Sequence, residues 1–449
     1  MDERDATPNA DSDAPHLRTG QPRQRRRRLL WIVLLTVLGV VTVAFWALVF
    51  VGIRALSHSS KEPVIPIAPI EQPGGILRRV VGPDVASEAT WTADGLHVVF
   101  ESYDIDFVRE FRRALRGQQS VAQIAVVDVA TGEQRLYAMP ADVVMFGAIL
   151  QRPRSREFAC CTSRVRLRDL IGGEKLPDIW VFDLARGEFR KKATFRLPDR
   201  AAKSGGTDLS LESWAPDGRT LLCSVADENF DTAGYWLVRR SDGRATEVSL
   251  PRKPEVAAEP RWSPDSRTLA LAWEPGGDSE DDNPARGLWL VEPETGNGHI
   301  VRLDPFSVFT WLPNGRVLVC CEQGAGELKE TRFGVSPVRD GETEWLPRVV
   351  ASTAFDIQHA GGRTVVELYF SPGGDEWLFD LYEVTLTDGA TRRLTKLDVV
   401  DWSLSPTGDR ILLDVFESSV DLPAGIYVLD IGPVAAQPSP QRGARASGG

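Results

Sequence analysis

The chain has 449 residues, 42% apolar and 26% charged, the balance of an ordinary globular protein rather than a fibrous or disordered one. Lys and Arg number 52 against 63 Asp and Glu, a net charge of -11, which excludes a general nucleic-acid binder because neutralising phosphates needs a positive face. Five histidines and five cysteines are scattered without CxxC, HExxH or other metal-ligand spacing, so no metal, thiol-redox centre or cofactor is expected.

In chain order, residues 1–28 are rich in Asp, Pro, Ala and Thr, lack apolar periodicity and end in an arginine run. They read as a disordered tail, with too few large apolar groups to offset chain entropy. Residues 29–53, LLWIVLLTVLGVVTVAFWALVFVGI, would form a helix of about 37 Å, enough to cross a hydrocarbon core of about 30 Å. A cleaved signal peptide would have a shorter apolar region and a small-x-small site, whereas RALSHSS follows here, so the expectation is a single-pass anchor in the lipid bilayer. RQRRRR at 23–28 precedes the span, and only Arg54 and Lys61 lie close beyond it. The positive-inside rule then leaves the N-terminus in the cytoplasm and the long C-terminal part outside it. Residues 54–75, with Pro63, Pro66, Pro69 and Pro73, read as an extended spacer. Residues 433–449, rich in Pro, Ala, Ser and Gly, read as a disordered tail.

Between these ends a unit recurs: an aromatic or apolar strand, a PDG-like turn and a second, strongly apolar strand. Its instances are WTADGLHVVF from Trp91, QRPRSREFACC from Gln151, WAPDGRTLLCS from Trp214, WSPDSRTLALA from Trp262, WLPNGRVLVCC from Trp311, QHAGGRTVVEL from Gln358 and LSPTGDRILLD from Leu404. Asp-Gly, Asn-Gly and Gly-Gly supply the positive φ that tight hairpins require. Six instances are followed by a second hairpin, as in VVDVATGEQRLY from Val126 and YEVTLTDGATRRL from Tyr382. Two hairpins make a four-stranded antiparallel sheet. FSPGG at Phe370 imitates the first turn but leaves too little chain before TDG for two strands, and is read as the loop between second and third strands.

Aligned on the turns, Val98, Phe158, Leu221, Leu269, Leu318, Val365 and Ile411 share one position, and Val99, Ala159, Leu222, Ala270, Val319, Val366 and Leu412 the next. Consecutive apolar residues imply a strand buried on both faces, which neighbouring propeller blades provide and a one-sided sheet does not. The expected fold is all-β, a seven-bladed β-propeller over residues 76–432. Six or eight blades remain alternatives, because the second and sixth units are degenerate. The seventh unit lacks an outer strand. ILRRVVG at residues 76–82 resembles the outer-strand sequence TRRLT and is expected to supply it, closing the ring and removing two open edges.

WSPDSRTLALAW, WAPDGRTLLCSV and TDGATRRLT resemble the WD40-like PD40 repeats of the TolB-type propeller family, over residues 76–432. That resemblance implies a protein-interaction platform in the cell envelope. Similar propellers also precede the hydrolase domain of prolyl-oligopeptidase-type enzymes, and no such domain follows here.

For chemistry there is no GxSxG elbow, and His97, His299 and His359 sit in no triad context. His97 and His359 fall at or beside turns and read as solvent-facing. Cys160, Cys223 and Cys320 share a repeat position with Phe100, Leu271 and Leu413 and read as small core hydrophobes, and equivalent blade positions are too far apart for a disulfide. Asp278, Glu280, Asp281 and Asp282 do not match a calcium loop and read as a solvated acidic stretch. Residues 100–203 carry 19 Lys and Arg against 14 Asp and Glu, while the later blades are acidic, a polarity able to steer a charged partner.

DIDFVREFRRALRGQQS in the first blade places Phe107, Phe111 and Leu115 at helical spacing among Arg109, Arg112, Arg113 and Arg116. The second blade's matching loop, from Arg164, adds Arg166 and Arg168. The plainer account is a helix packed on the propeller with solvated arginines. The functional account makes Phe107, Arg109, Arg112, Arg113, Arg116, Arg164, Arg166 and Arg168 the contacts for an envelope or membrane protein, or a cell-surface polymer. The expected function is an extracytoplasmic scaffold rather than an enzyme. The alternative is a propeller hydrolase or lyase working on a glycan or peptide in the central channel, which requires converging acidic, basic or histidine side chains there.

Overall fold

The structure is a computed structural model that describes residues 69–82, 89–102, 123–140, 146–163, 177–194, 208–226, 232–250, 260–273, 287–302, 306, 308–323, 330–338, 342–370, 378–397, 401–415 and 422–433. They form 29 strands in seven sheets. The chain enters through β1 (Ile70–Gln72) and β2 (Gly75–Val81). Blade 1 holds β3 (Thr90–Trp91), β4 (His97–Ser102), β5 (Gln123–Asp128) and β6 (Gln134–Ala138). Blade 2 holds β7 (Phe146–Gln151), β8 (Glu157–Ser163), β9 (Pro177–Asp183) and β10 (Glu188–Thr194). Blade 3 holds β11 (Asp208–Trp214), β12 (Thr220–Ala226), β13 (Thr232–Arg239) and β14 (Ala245–Glu247), and blade 4 β15 (Arg261–Trp262), β16 (Leu269–Trp273), β17 (Gly287–Val291) and β18 (Gly298–Arg302). Blade 5 holds β19 (Val308–Trp311), β20 (Val317–Gln323), β21 (Glu330–Ser336) and β22 (Glu344–Val350), and blade 6 β23 (Thr353–Ala360), β24 (Arg363–Phe370), β25 (Leu378–Val384) and β26 (Thr391–Arg393). The last blade joins β27 (Asp401–Leu404), β28 (Arg410–Val415) and β29 (Gly425–Asp430) to β2 and β1.

The protein is therefore a seven-bladed β-propeller, and the first strand of every unit lies innermost. Neighbouring inner strands pack side by side, as β7 with β11, β19 with β23 and β23 with β27 do, leaving the channel on the axis. The Trp91 indole donates to the Ser403 carbonyl at 3.1 Å and the Trp311 indole to the Arg261 carbonyl at 3.0 Å, each joining a blade to the one before it.

Turn chemistry explains the hairpins. In blade 1 the Asp94 carboxylate accepts from the Leu96 amide and the Thr92 hydroxyl, while Gly95 takes φ 67°. Asp217, Asp265 and Asn314 accept in the same way from the amides of Arg219, Arg267 and Arg316. The side chain closes the turn, and glycine supplies the left-handed residue in blades 1, 3 and 5 and Ser266, at φ 62°, in blade 4.

Both aligned apolar positions of the second strands are buried in all seven blades, with no residue more than 2% exposed. Each blade's two faces press on its neighbours: Val99, Ile124 and Val126 of blade 1 meet Ile149, Phe158 and Phe182 of blade 2. Each such buried side chain contributes roughly 1.5–3 kcal/mol.

The ring closes as the sequence predicts, with β2 antiparallel to β29, Ile76 opposite Asp430 and Leu77 opposite Leu429. Arg78 and Arg410 both pair with Asp430, and Arg410 also donates to the Gly95 carbonyl of blade 1 at 3.0 Å. One boundary differs. The stretch expected as spacer up to residue 75 already contains β1, which forms a hairpin with β2 from Ile70 onward. Pro69 and Pro73 flank β1 rather than interrupt it, so this outermost edge strand tolerates them.

The proposed membrane span at 29–53, the tails, and the calls on Phe107, Arg109, Arg112, Arg113, Arg116, Arg164, Arg166 and Arg168 and on the acidic stretch from Asp278 lie outside the described residues. Among the described residues no helix is long and apolar enough to cross a membrane.

Candidate functional site

An antiparallel blade puts the turns between first and second and between third and fourth strands at one end of the ring. Connections from second to third strand leave from the other end. At the turn end, the junction of blades 1 and 2 opens into a cleft of about 680 Å3, within the size range of ligand sites. Val126, Tyr137 and Leu184 form an apolar floor continuous with the inter-blade core. One wall carries Asp94, Asp128 and Glu133, and the other Arg154 and Arg156.

The acidic wall is engaged in holding its own turns. Burial opposes ionisation of Asp94, but hydrogen bonds from Thr92 and the Leu96 amide outweigh it and hold the carboxyl below its ordinary value. The amide and hydroxyl of Thr131 do the same for Asp128. His97 lies between them, Nδ1 3.9 Å from Asp94 and Nε2 3.7 Å from Asp128, and is thus one-third exposed between carboxylates rather than simply solvent-facing. The basic wall is different: Arg154 and Arg156 are exposed and make no ion pair among the described residues. A smaller cleft of about 470 Å3 occupies the equivalent junction of blades 4 and 5, with Asp265, Glu292 and His299 on one wall and Asn314 on the other.

Beside the first cleft, Glu157 of blade 2 accepts from Arg152 at 2.7 Å and from Arg240 of blade 3 at 2.9 Å. Burial raises the Glu157 carboxyl, and the two guanidiniums overcome that and bring it below its ordinary value.

The channel holds a second polar group. Arg261 of blade 4 donates to Asp356 of blade 6 at 2.6 Å, bypassing blade 5. Gln358 donates both to Asp356, at 3.0 Å, and to the Trp402 carbonyl of blade 7, at 3.2 Å, while its own oxygen accepts from the Leu404 amide. Asp356 follows Phe355, the extra residue of a β-bulge against β24, a device that re-aims side chains. Phe355 is 49% exposed and stacks edge-on against Phe379 and Tyr369, with ring centres 5.0 and 6.0 Å away. Asp401, at the start of β27, is crowded by surrounding protein that pushes its carboxyl up, with the Trp402 amide opposing and the Asp356 carboxylate adding to the rise.

Sequence reasoning missed Arg261, Asp356, Gln358 and Asp401. A signal existed for two of them, since Arg261 and Asp401 each directly precede a buried inner-strand tryptophan, the register that faces the channel. His359 is half-buried, with Nδ1 2.8 Å from the Thr364 hydroxyl, and its pKa is lowered by burial, so it is not solvent-facing either. No disulfide joins any of the five buried cysteines, and burial pushes the thiols of Cys160, Cys223 and Cys320 well up. They are inert core groups. At the same strand position blade 6 has Glu367, 8% exposed, which accepts from the Trp402 indole at 3.1 Å.

No family model matches the sequence, and no curated protein does. Solved structures are similar at low identity. A prolyl endopeptidase is 12% identical with a TM-score of 0.49, over 78% of this chain and 48% of its own. TolB from Acinetobacter baumannii is 15% identical with a TM-score of 0.34, over 62% and 66%. Oligogalacturonate lyase from Vibrio parahaemolyticus is 13% identical with a TM-score of 0.40, over 81% and 96%. The chain thus spans about half the length of the prolyl endopeptidase it resembles.

Proposed function

We propose that this protein is an interaction scaffold of the cell envelope, its TolB-like propeller carried outside the cytoplasm on the 29–53 segment, where it recruits another envelope or membrane protein or a cell-surface polymer. The observation that carries the reading is the contrast between the two polar regions. The channel charges are engaged in joining blades 4, 6 and 7, through Arg261 to Asp356 and Gln358 to Trp402. The open cleft at the junction of blades 1 and 2 presents Arg154 and Arg156, which make no ion pair among the described residues. In sequence, the long second-to-third-strand connections of the same two blades, with Arg109, Arg112 and Arg113 in one and Arg164 and Arg166 in the other, are basic as well.

The test is cross-linked affinity purification of the full-length protein from membranes, beside a version with residues 104–118 replaced by a Gly-Ser loop. A partner captured by the first and lost from the second supports the scaffold and places the contact. Capture of no protein or polymer by either speaks against it.

One observation favours the enzyme as a second reading: the Asp401 carboxyl is pushed up by burial and by the nearby Asp356 carboxylate, and a carboxyl with a raised pKa can serve as a general acid. A raised folded-state pKa means that ionised Asp401 costs stability at neutral pH, a cost that disappears as pH falls through that pKa. Asp401→Asn is therefore expected to raise the thermal midpoint at pH 7 and to match the wild type in acid. If the chain is a channel hydrolase, the same variant loses turnover as it gains stability, and a variant with unchanged turnover removes Asp401 from the chemistry.

A further inference from the structure

The first turns of blades 1, 3, 4 and 5 follow one rule, and blade 2 departs from it beside the cleft of about 680 Å3. The hairpins of blades 1 and 2 share their pattern: the Thr92 and Arg152 amides donate to the carbonyls of His97 and Glu157, and the Gly95 and Ser155 amides to those of Thr92 and Arg152. Arg154 thus stands where Asp94, Asp217, Asp265 and Asn314 close the turns of blades 1, 3, 4 and 5 with their side chains. An arginine cannot accept those hydrogen bonds, and in blade 2 the Ser155 hydroxyl takes over, accepting from the Glu157 amide at 3.2 Å. The left-handed residue also moves one place earlier, from the glycine position onto Arg154 itself, at φ 54°. A long side chain in that conformation is strained, and such strain persists at sites of function. The sequence thus gives up a turn cap and accepts strain to place a guanidinium on the cleft wall, next to the equally exposed Arg156.

We infer that the cleft between blades 1 and 2 is a docking site for an acidic peptide segment of a partner protein, its carboxylates held by Arg154 and Arg156 and an intervening apolar side chain seated on Val126, Tyr137 and Leu184. Charge decides the sign of the ligand. Asp94 and Asp128 are committed to their own turns and Glu133 pairs with Arg135 at 3.4 Å, whereas Arg154 and Arg156 make no ion pair among the described residues, and arginine is suited to fork-like recognition of carboxylate. The floor selects a peptide over a bare anion, since Tyr137 and Leu184 are part-exposed in the cleft and continuous with the apolar inter-blade core. The equivalent cleft of blades 4 and 5 supplies an internal contrast, because Asn314 occupies the position of Arg154 and Arg316 is bonded to Glu344 at 3.0 Å. This inference deepens the scaffold reading and rests on it.

The experiment is fluorescence polarisation of the full-length protein in detergent with a fluorescein-labelled peptide, Gly-Glu-Leu-Glu-Leu-Gly amide, and its Gln and Lys counterparts. The protein's net charge of -11 opposes acidic ligands, so binding of the Glu peptide reports a local site. The expected result is affinity for the Glu peptide at least about tenfold above that for the Gln peptide, falling with salt. Arg154→Asp restores the residue type of the other turns and tolerates the left-handed region. It should keep or raise the thermal midpoint while losing about tenfold or more in affinity, and Arg156→Gln should lose less. Equal binding of Glu and Gln peptides, or wild-type affinity in a folded Arg154→Asp protein, overturns the site. A partner captured through residues 104–118 by a protein that ignores the Glu peptide overturns the cleft and leaves the scaffold standing.

Discussion

A chain that starts at residue 82 should fail to fold into a stable ring, whereas one that starts at residue 64 should melt as the full propeller does. The difference is β1 and β2. Without β2 the β29 edge loses every hydrogen bond from Ile76 to Val81, Asp430 loses its pairing with Arg78, and Leu77, 1% exposed, leaves a gap among Leu394, Tyr427 and Leu429. One buried leucine alone accounts for about 2–5 kcal/mol, comparable with much of a domain's net stability of roughly 5–15 kcal/mol. An open β29 edge is also a template for association. Size-exclusion chromatography and thermal denaturation of the two truncations read both consequences. A monomeric, cooperatively melting chain from residue 82 would show that the remaining strands hold the ring unaided.

Arg363 should be the most costly single side chain to remove. Only 3% exposed, it donates to Glu383 at 2.8 Å and to the carbonyls of Gly408, Gly432 and Pro433, tying blade 6 to the turn of blade 7 and to the end of the closing strand. The turns meet there without side chains between them. A Cβ on Gly361 would lie 2.0 Å from the Thr407 carbonyl oxygen, so glycine is required for the approach. Arg363→Met retains volume but leaves three carbonyls without this donor and half-buried Glu383 with Arg392 alone of its two guanidiniums, and breaking a buried pair from one side costs about 3–5 kcal/mol. The measurement is the urea midpoint at constant m-value. Arg363→Lys should recover only part of the loss, because one ammonium cannot span the four acceptors that the guanidinium fork reaches. A Met variant within experimental error of wild type would make the clamp incidental.

Blade number, strand order and ring closure were legible in the sequence because each has a local signature. Turn residues recur at near-constant spacing, consecutive apolar pairs mark strands covered on both faces, and a missing outer strand has its counterpart at residues 76–82. The β1 hairpin was not legible, since IEQ flanked by prolines has no strand pattern and gains its partner only from β2. Arg261 and Asp356 lie 95 positions apart, and no periodicity shows which inner strands face across the channel. Arg363 is disguised by the GGR of its turn, because blades 2, 3, 4 and 5 carry an arginine at the same position. Arg154 stands out only after the seven turns are superposed, because the anomaly is in the comparison and not in the residue.

The closing sheet also sets an order of events. Arg78 and its partner Asp430 are separated by 352 positions, so β2 must wait, paired on its β1 edge alone, until β29 has been made. Loop closure over such a separation is entropically costly, and contacts this distant form late. The six other blades are each continuous in sequence and can assemble as they emerge, but their ring stays open meanwhile. During that interval β2, with its apolar Ile76, Leu77, Val80 and Val81, is the exposed segment in need of protection, and the final zipping of β2 onto β29 is the step that converts a string of finished blades into one cooperative molecule.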